Sequence, residues 1–277
     1  MTLPNASVRQ PAVAGRFYPD SESELRSMVE GMLAAVDAEP EPAFGAIAPH
    51  AGLIYSGECA AHVFKRIVIP RIVVIIAPNH TGRASHPGEA ATWGSGAFDT
   101  PLGQLKVADE FLDQLQTATD LVAHDPAAHA YEHAVEVELP FLALLAPETA
   151  IAPLVLAWDD WDRCKELAGV LADTISQWPH EVLLLASSDM THFESARAAA
   201  AKDRGALEAV EHFDAEGLLS YCQDRNVSMC GRGPAAVVLE ATKELGATRA
   251  DVVDYRHSGQ VTGDDRDVVA YAGVVIR

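Results

Sequence analysis

The chain of 277 residues is expected to fold as one α/β domain, with a largely parallel central sheet flanked by helices. Three observations carry that expectation. Short β-branched apolar runs alternate with helix-period segments nearly from end to end. The strongest run, Ile72-Val73-Val74-Ile75-Ile76, offers no polar face to water, as a central strand covered on both sides requires. No repeat, low-complexity linker or composition break divides the chain, so residues 1–277 read as a single unit. A globule of this size exposes about 11,600 Å² and buries roughly 73% of the unfolded surface, so its core needs no disulfide or structural metal.

The elements follow in order. Ser21 and Glu24 have capping-box spacing, and Leu25, Met28, Val29, Met32, Leu33 and Val36 recur at helical period. Residues 44–48 form a buried strand, 57–67 a helix and 71–77 the strongest strand. The Gly- and Ser-rich stretch 82–103 reads as loop. Helices are expected over 107–115 and 132–145, the second kinked or broken by Pro140. Residues 151–157 form a strand, and Trp161, Cys164, Leu167, Ala168, Leu171 and Ile175 line one face of a helix. A strand over 181–186 precedes an Ala-rich helix over 195–213. Pro234 is suited to open a helix reaching Leu245, and strands over 251–255 and 268–276 close the chain.

Charge narrows the partners. Twenty Lys and Arg stand against forty Asp and Glu, a formal net charge of −20. Such a surface repels phosphate backbones and anionic lipid, so nucleic-acid and membrane partners are not expected. The opening Met-Thr-Leu-Pro-Asn-Ala lacks the basic end and apolar stretch of a secretory leader. The four cysteines form no CxxC pair and no dense framework, so the expected setting is a reducing cytoplasm.

Three strand ends carry the polar groups: Pro49-His50-Ala51-Gly52, Pro78-Asn79-His80-Thr81-Gly82 and Ser187-Ser188-Asp189-Met190-Thr191-His192. Parallel strands bind ligands at their carboxyl ends, so these imidazoles are expected around one pocket. Cys230, in a Gly-rich loop entering a helix, is the cysteine expected to be a thiolate, because helix N-termini depress thiol pKa. Cys59, Cys164 and Cys222 read as small buried hydrophobes. Two or three imidazoles with one thiolate suit a divalent metal, and zinc, ferrous iron and copper all accept such ligands. The same residues also allow a metal-free arrangement, with Cys230 as nucleophile, His192 as base and Asp189 as orienter. His129 and His133 are four apart, but Ala130 stands where a zincin keeps its catalytic Glu, which excludes that reading. Glu132, His133, Tyr55 and Arg232 are further candidates for the pocket wall.

The ordered motifs carry a resemblance. Residues 8–19, Val-Arg-Gln-Pro-Ala-Val-Ala-Gly-Arg-Phe-Tyr-Pro, resemble the opening signature of the Memo family, whose prokaryotic members are called AmmeMemoRadiSam system protein B. The likeness continues through Pro49-His50-Ala51-Gly52, Asn79-His80-Thr81-Gly82, Thr100-Pro101-Leu102-Gly103, Glu132-His133 with Glu136, Ser187-Ser188-Asp189 with His192, Cys230-Gly231 and Tyr271-Ala272-Gly273. It implies a fold shared with class III extradiol dioxygenases, which open catechol rings with Fe(II) held by two His and one carboxylate. Carried over, the metal ligands are His50, His80 and Cys230, with Cys230 in place of the carboxylate. His192 is then the acid–base residue, with Asp189 beside it. The implied cofactor is iron (Fe2+), with copper or zinc as alternatives, because a thiolate makes the site softer. Eukaryotic members are described as adaptors for phosphorylated receptor peptides and as iron- or copper-binding proteins with redox roles. The expected function is therefore a mononuclear metal site with a redox or dioxygenase-like role on an unknown small molecule. The rivals are a binding or adaptor module taking an anionic ligand or peptide, and a cysteine hydrolase.

Overall fold

In the computed structural model, residues 8–277 are described. The elements are, in order, β1 (Val8–Arg9), α1 (Glu22–Ala34), β2 (Gly45–Ala48), α2 (Leu53–Phe64), β3 (Ile72–Pro78), β4 (Ala90–Thr92), β5 (Ala97–Thr100) and β6 (Gly103–Lys106). Then come α3 (Asp109–Ala118), β7 (Val122–His124), α4 (Pro126–His129), a 3-10 turn (Glu136–Glu138), α5 (Leu139–Leu145), β8 (Ala150–Leu156), α6 (Trp161–Gln177), β9 (Val182–Ser187) and β10 (His192–Glu194). The chain closes with α7 (Ala196–Glu211), α8 (Ala215–Arg225), α9 (Arg232–Glu244), β11 (Ala250–His257), α10 (Gly259–Thr262) and β12 (Val268–Ile276).

The expected α/β domain is present, and its parallel part lies where the apolar runs placed it. β2, β9, β3 and β8 are neighbours and run parallel. Every residue of β2, β3 and β9 is buried, so these strands are covered on both faces. Around that centre the sheet is mixed. β12 joins β2 antiparallel and carries β10 and β11, while β4 joins β8 antiparallel and carries β7. A second, three-stranded sheet is formed by β1, β5 and β6. α2 packs on β11, β12 and β2, and α9 packs on β9, β3 and β2. The stacked rings of Phe64 and Phe141, 4.9 Å apart, tie α2 to α5. The accessible surface is 11920 Å², close to the value expected from size.

Local departures have local causes. Ser21 does not cap α1; its hydroxyl lies 3.1 Å from that of Ser23. α2 begins at Leu53, because Gly52 ends the His50 loop and opens the helix directly. The stretch 82–103 is not all loop: it holds β4 and β5, strands too short for a two-residue period to stand out. Residues 132–145 do not form one helix. They make a turn, the 3-10 segment and α5, with Pro140 in the first turn of α5 rather than at a kink. α9 starts at Arg232, two residues before Pro234. α7, α8 and α6 are capped by Ser195, Asp214 and Asp160, each accepting a backbone N–H of its first turn.

Candidate metal centre

Three parallel strands end at one edge, and each delivers its polar residues there. β2 leads to His50, β3 to His80, and β9 ends in Ser187 followed by Ser188 and Asp189. The turn before the 3-10 segment adds His133, and the loop between α8 and α9 adds Cys230. That loop packs very close to the end of β9. A Cβ at Gly231 would lie 2.4 Å from the Ser187 carbonyl oxygen, so only glycine admits the approach.

His50, His80 and His133 each offer a ring nitrogen, and these atoms lie within 4.8 Å of one another. The ring centroids are 4.6–5.4 Å apart. In two of the rings Nδ1 is hydrogen-bonded behind the cluster, and in the third it lies near the same carboxylate. His80 Nδ1 donates to Glu132 Oε1 at 2.9 Å, and His133 Nδ1 lies 3.3 Å from the same oxygen. His50 Nδ1 lies 2.8 Å from Ser187 Oγ. In His50 and His80 the hydrogen bond at Nδ1 leaves Nε2 for a ligand, and in His50 that atom faces Cys230 Sγ at 3.3 Å. Glu132 also accepts from the backbone N–H groups of His80, His133 and Ala134. Burial raises its pKa, but the His80 hydrogen bond and the nearby imidazoles outweigh burial, so the carboxyl is held below its usual range.

Electrostatics keep the cluster ready for a cation. Burial, reinforced by the other imidazoles, holds His50 well below the ordinary histidine value. Burial also lowers His133 to about 4, against the pull of Glu132. Neutral imidazole is the ligating form.

The structure differs from the sequence reading at several of these residues. His133 joins His50 and His80 in the cluster; Cys230 does not belong to that group among the described residues. Cys230 Sγ instead lies 3.3 Å from His50 Nε2, and Sγ accepts the Asp189 backbone N–H at 3.3 Å. Burial first and the Asp189 charge second push the thiol pKa well up, opposite in direction to the effect expected of the helix N-terminus. Cys59, Cys164 and Cys222 are buried, as expected.

The Cys-His-Asp arrangement is not formed. Asp189 Oδ1 accepts from the backbone of His50 and Ala51, and His192 Nδ1 donates to the Ser228 carbonyl at 3.0 Å. Because a carbonyl only accepts, His192 carries its proton on Nδ1 and presents a bare Nε2. Burial raises Asp189 to about 6, with the His192 charge and the His50 N–H opposing. Arg232 pairs with Asp159 and takes no part in the cavity wall.

A cavity of about 520 Å³ opens over the cluster, lined by Phe17, Tyr55, His50, His80, His133, Asp189, His192, Phe193 and Tyr271 among others. That volume suits a small molecule. Phe193 is 76% exposed at its rim and has φ 58°, a conformation that favours glycine. Sequence reading named Glu132, His133 and Tyr55 as candidates for the pocket wall or its support, gave Ser187, Phe17 and Tyr271 only as members of motifs, and did not single out Phe193. The Glu132-His133 pair was the available signal, since a carboxylate beside an imidazole is a common metal-site pairing.

Comparison with known proteins places the chain in a family. The sequence model described as Memo-like protein matches residues 9–275. A MEMO1 family protein of Methanopyrus kandleri is 38% identical, covering 97% of this chain and 99% of its own length. One from Methanosarcina mazei is 38% identical over 97% and 99% of the two chains, and one from Aquifex aeolicus 37% over 97% and 98%.

Proposed function

The chain belongs to the Memo family, and from that premise we propose that it binds one first-row transition-metal ion at His50, His80 and His133, with Cys230 beside them as a further donor. The carrying observation is the set of three imidazoles whose ring nitrogens lie within 4.8 Å of one another, two of them held from behind by hydrogen bonds at Nδ1, His50 to Ser187 and His80 to Glu132. Nitrogen donors with one adjacent sulfur suit iron, copper or zinc rather than harder ions. Ferrous iron is the assignment favoured by the likeness to extradiol dioxygenases. Such an ion supplies an electrophilic, redox-capable centre, and the proposed role is oxidative chemistry on a small molecule held in the cavity.

The chain's own groups then orient the ligand and move protons. His192 receives a proton at Nε2, because its Nδ1 proton is committed to Ser228. Asp189, raised to about 6, exchanges a proton near neutral pH. Phe17, Tyr55 and Tyr271 line the cavity with aromatic surface. Ligation by Cys230 requires release of its thiol proton, so metal uptake through the sulfur strengthens as pH rises.

The test is elemental analysis of protein purified anaerobically without a metal-affinity tag, beside His50→Ala, His80→Ala, His133→Ala and Cys230→Ser. Near-stoichiometric metal is expected in the wild type and is lost in the three histidine variants. Wild-type protein that arrives metal-free and takes up neither iron, copper nor zinc on titration overturns the proposal. Glu132→Gln removes the charge that holds His80 and is expected to weaken metal affinity about 10–100-fold, measured by chelator competition.

A further inference from the structure

Glu138 is fully buried and has no evident part in the chemistry above. Among the described residues its side chain hydrogen-bonds only to Ser187, whose Oγ makes three close contacts: Ala134 O at 2.7 Å, Glu138 Oε1 at 2.7 Å and His50 Nδ1 at 2.8 Å. A hydroxyl has one proton to give and two lone pairs to receive with. The Ala134 carbonyl can only accept, so the Ser187 proton goes there. The two remaining contacts must then be donors, a proton on His50 Nδ1 and a proton on Glu138 Oε1. The opposite assignment, an ionised Glu138 accepting from Ser187, leaves the Ala134 carbonyl against a bare oxygen. It also leaves a fully buried negative charge whose second oxygen, Oε2, has no partner among the described residues.

We infer that Glu138 is a carboxylic acid that stays protonated at neutral pH and, through Ser187, fixes the tautomer of His50 with Nε2 unprotonated, as the acceptor that faces the Cys230 thiol and the cavity. Electrostatics agree: burial, with the Asp189 charge adding to it, pushes Glu138 well above the usual carboxylate range despite the Ser187 hydrogen bond. No cationic side chain bonds to it among the described residues. Glu138 is thus a positioning residue that acts on His50 from behind, as Glu132 does on His80 but in the opposite charge state. The inference concerns the protein's own protons, and its primary readouts do not require a bound metal.

Infrared spectroscopy of the full chain at pH 8 is the direct test. Asp189 is ionised there, and a protonated-carboxyl C=O stretch is expected in the wild type that disappears in Glu138→Gln. Absence of the band from the wild type overturns the inference without recourse to any variant. Nitrogen-15 NMR of the histidine rings provides the second readout: His50 is expected protonated on Nδ1 in the wild type and in Glu138→Gln, whose amide N–H replaces the acid as donor. Glu138→Leu is expected to shift that tautomer equilibrium and weaken zinc affinity about 10–100-fold, with Glu138→Gln within a few-fold of wild type. His50 protonated on Nε2 in the wild type, or equal losses in the Gln and Leu variants, rejects the role.

Discussion

Replacing Arg9 with Met is expected to destabilise the protein by about 3–5 kcal/mol, because it strands a buried negative charge. Arg9 is 2% exposed and Glu136 is 0% exposed, and the two are ion-paired. The guanidinium also donates to the carbonyls of His129, at 3.2 and 3.1 Å, and of Glu132, at 2.6 Å. Glu136 accepts in addition from the Ala12 and Val13 backbone and from the Tyr18 hydroxyl. Both charges are therefore almost fully satisfied, which is the condition under which a buried pair persists. Removing one partner leaves the other without compensation. Thermal unfolding should shift down by roughly 5–9 °C at this chain length. Arg9→Met combined with Glu136→Gln is expected to recover much of the loss, since it removes both charges. Equal stability of the single and double variants would show that the cost is packing rather than charge. The effect should reach the metal centre as well. Arg9 grips the carbonyl of Glu132, and Glu132 holds His80, so Arg9→Met should also lower metal affinity in protein that remains folded.

This network also shows why some of the site was legible in sequence and some was not. His50, His80 and Asp189 follow apolar runs, and parallel strands deliver whatever follows them to one edge; the run and the residue after it are both visible in sequence. His133 and Glu138 come from a turn and a 3-10 segment, residues 132–138, which have no helical period to mark a face. Their placement is decided by Arg9, about 125 residues away in the chain, gripping that turn by its carbonyls. Cys230 differs for another reason. A helix N-terminus lowers a thiol pKa when solvent can help carry the charge, but Cys230 precedes the first residue of α9 by two and is half-buried beside Asp189, and burial and that charge push the thiol the other way. Strand direction was equally hidden. The apolar runs identify central strands, whereas the antiparallel pairing of β12 with β2 and of β4 with β8 is set by connections that periodicity does not encode.

Stability is expected to depend on pH through His129, with a sign fixed by its burial. His129 Nε2 donates to the Ala91 carbonyl at 2.8 Å, while Nδ1 is buried with no hydrogen-bond partner among the described residues, inside a box that includes Trp93 and Phe98. Burial lowers its pKa to about 4, even with the Ala91 hydrogen bond opposing. The folded value thus lies below the unfolded one of about 6.5. As pH falls below 6.5 the unfolded chain takes up a proton that the native state refuses, so this stability is complete above 6.5 and is lost toward pH 4. At pH 4.5 the loss amounts to about 2–3 kcal/mol from this residue alone. His133, also lowered to about 4, and His50 act in the same direction when no metal is bound. Asp189, raised to about 6, and Glu138, raised well above its usual range, act oppositely, because the native state holds protons that the unfolded chain releases first as pH rises. The wild-type profile is therefore a difference among several groups, these five and the shifted Glu132, Asp125, Asp203 and His62 among them, and the contribution of His129 is isolated by comparison with His129→Gln. The amide can keep the Ala91 hydrogen bond but does not titrate. Urea unfolding at pH 7 and pH 4.5 should show the stability gap between wild type and variant shifting by about 2–3 kcal/mol in favour of the variant at the lower pH. A gap that stays constant between the two pH values would mean that His129 is protonated in the native state despite its burial.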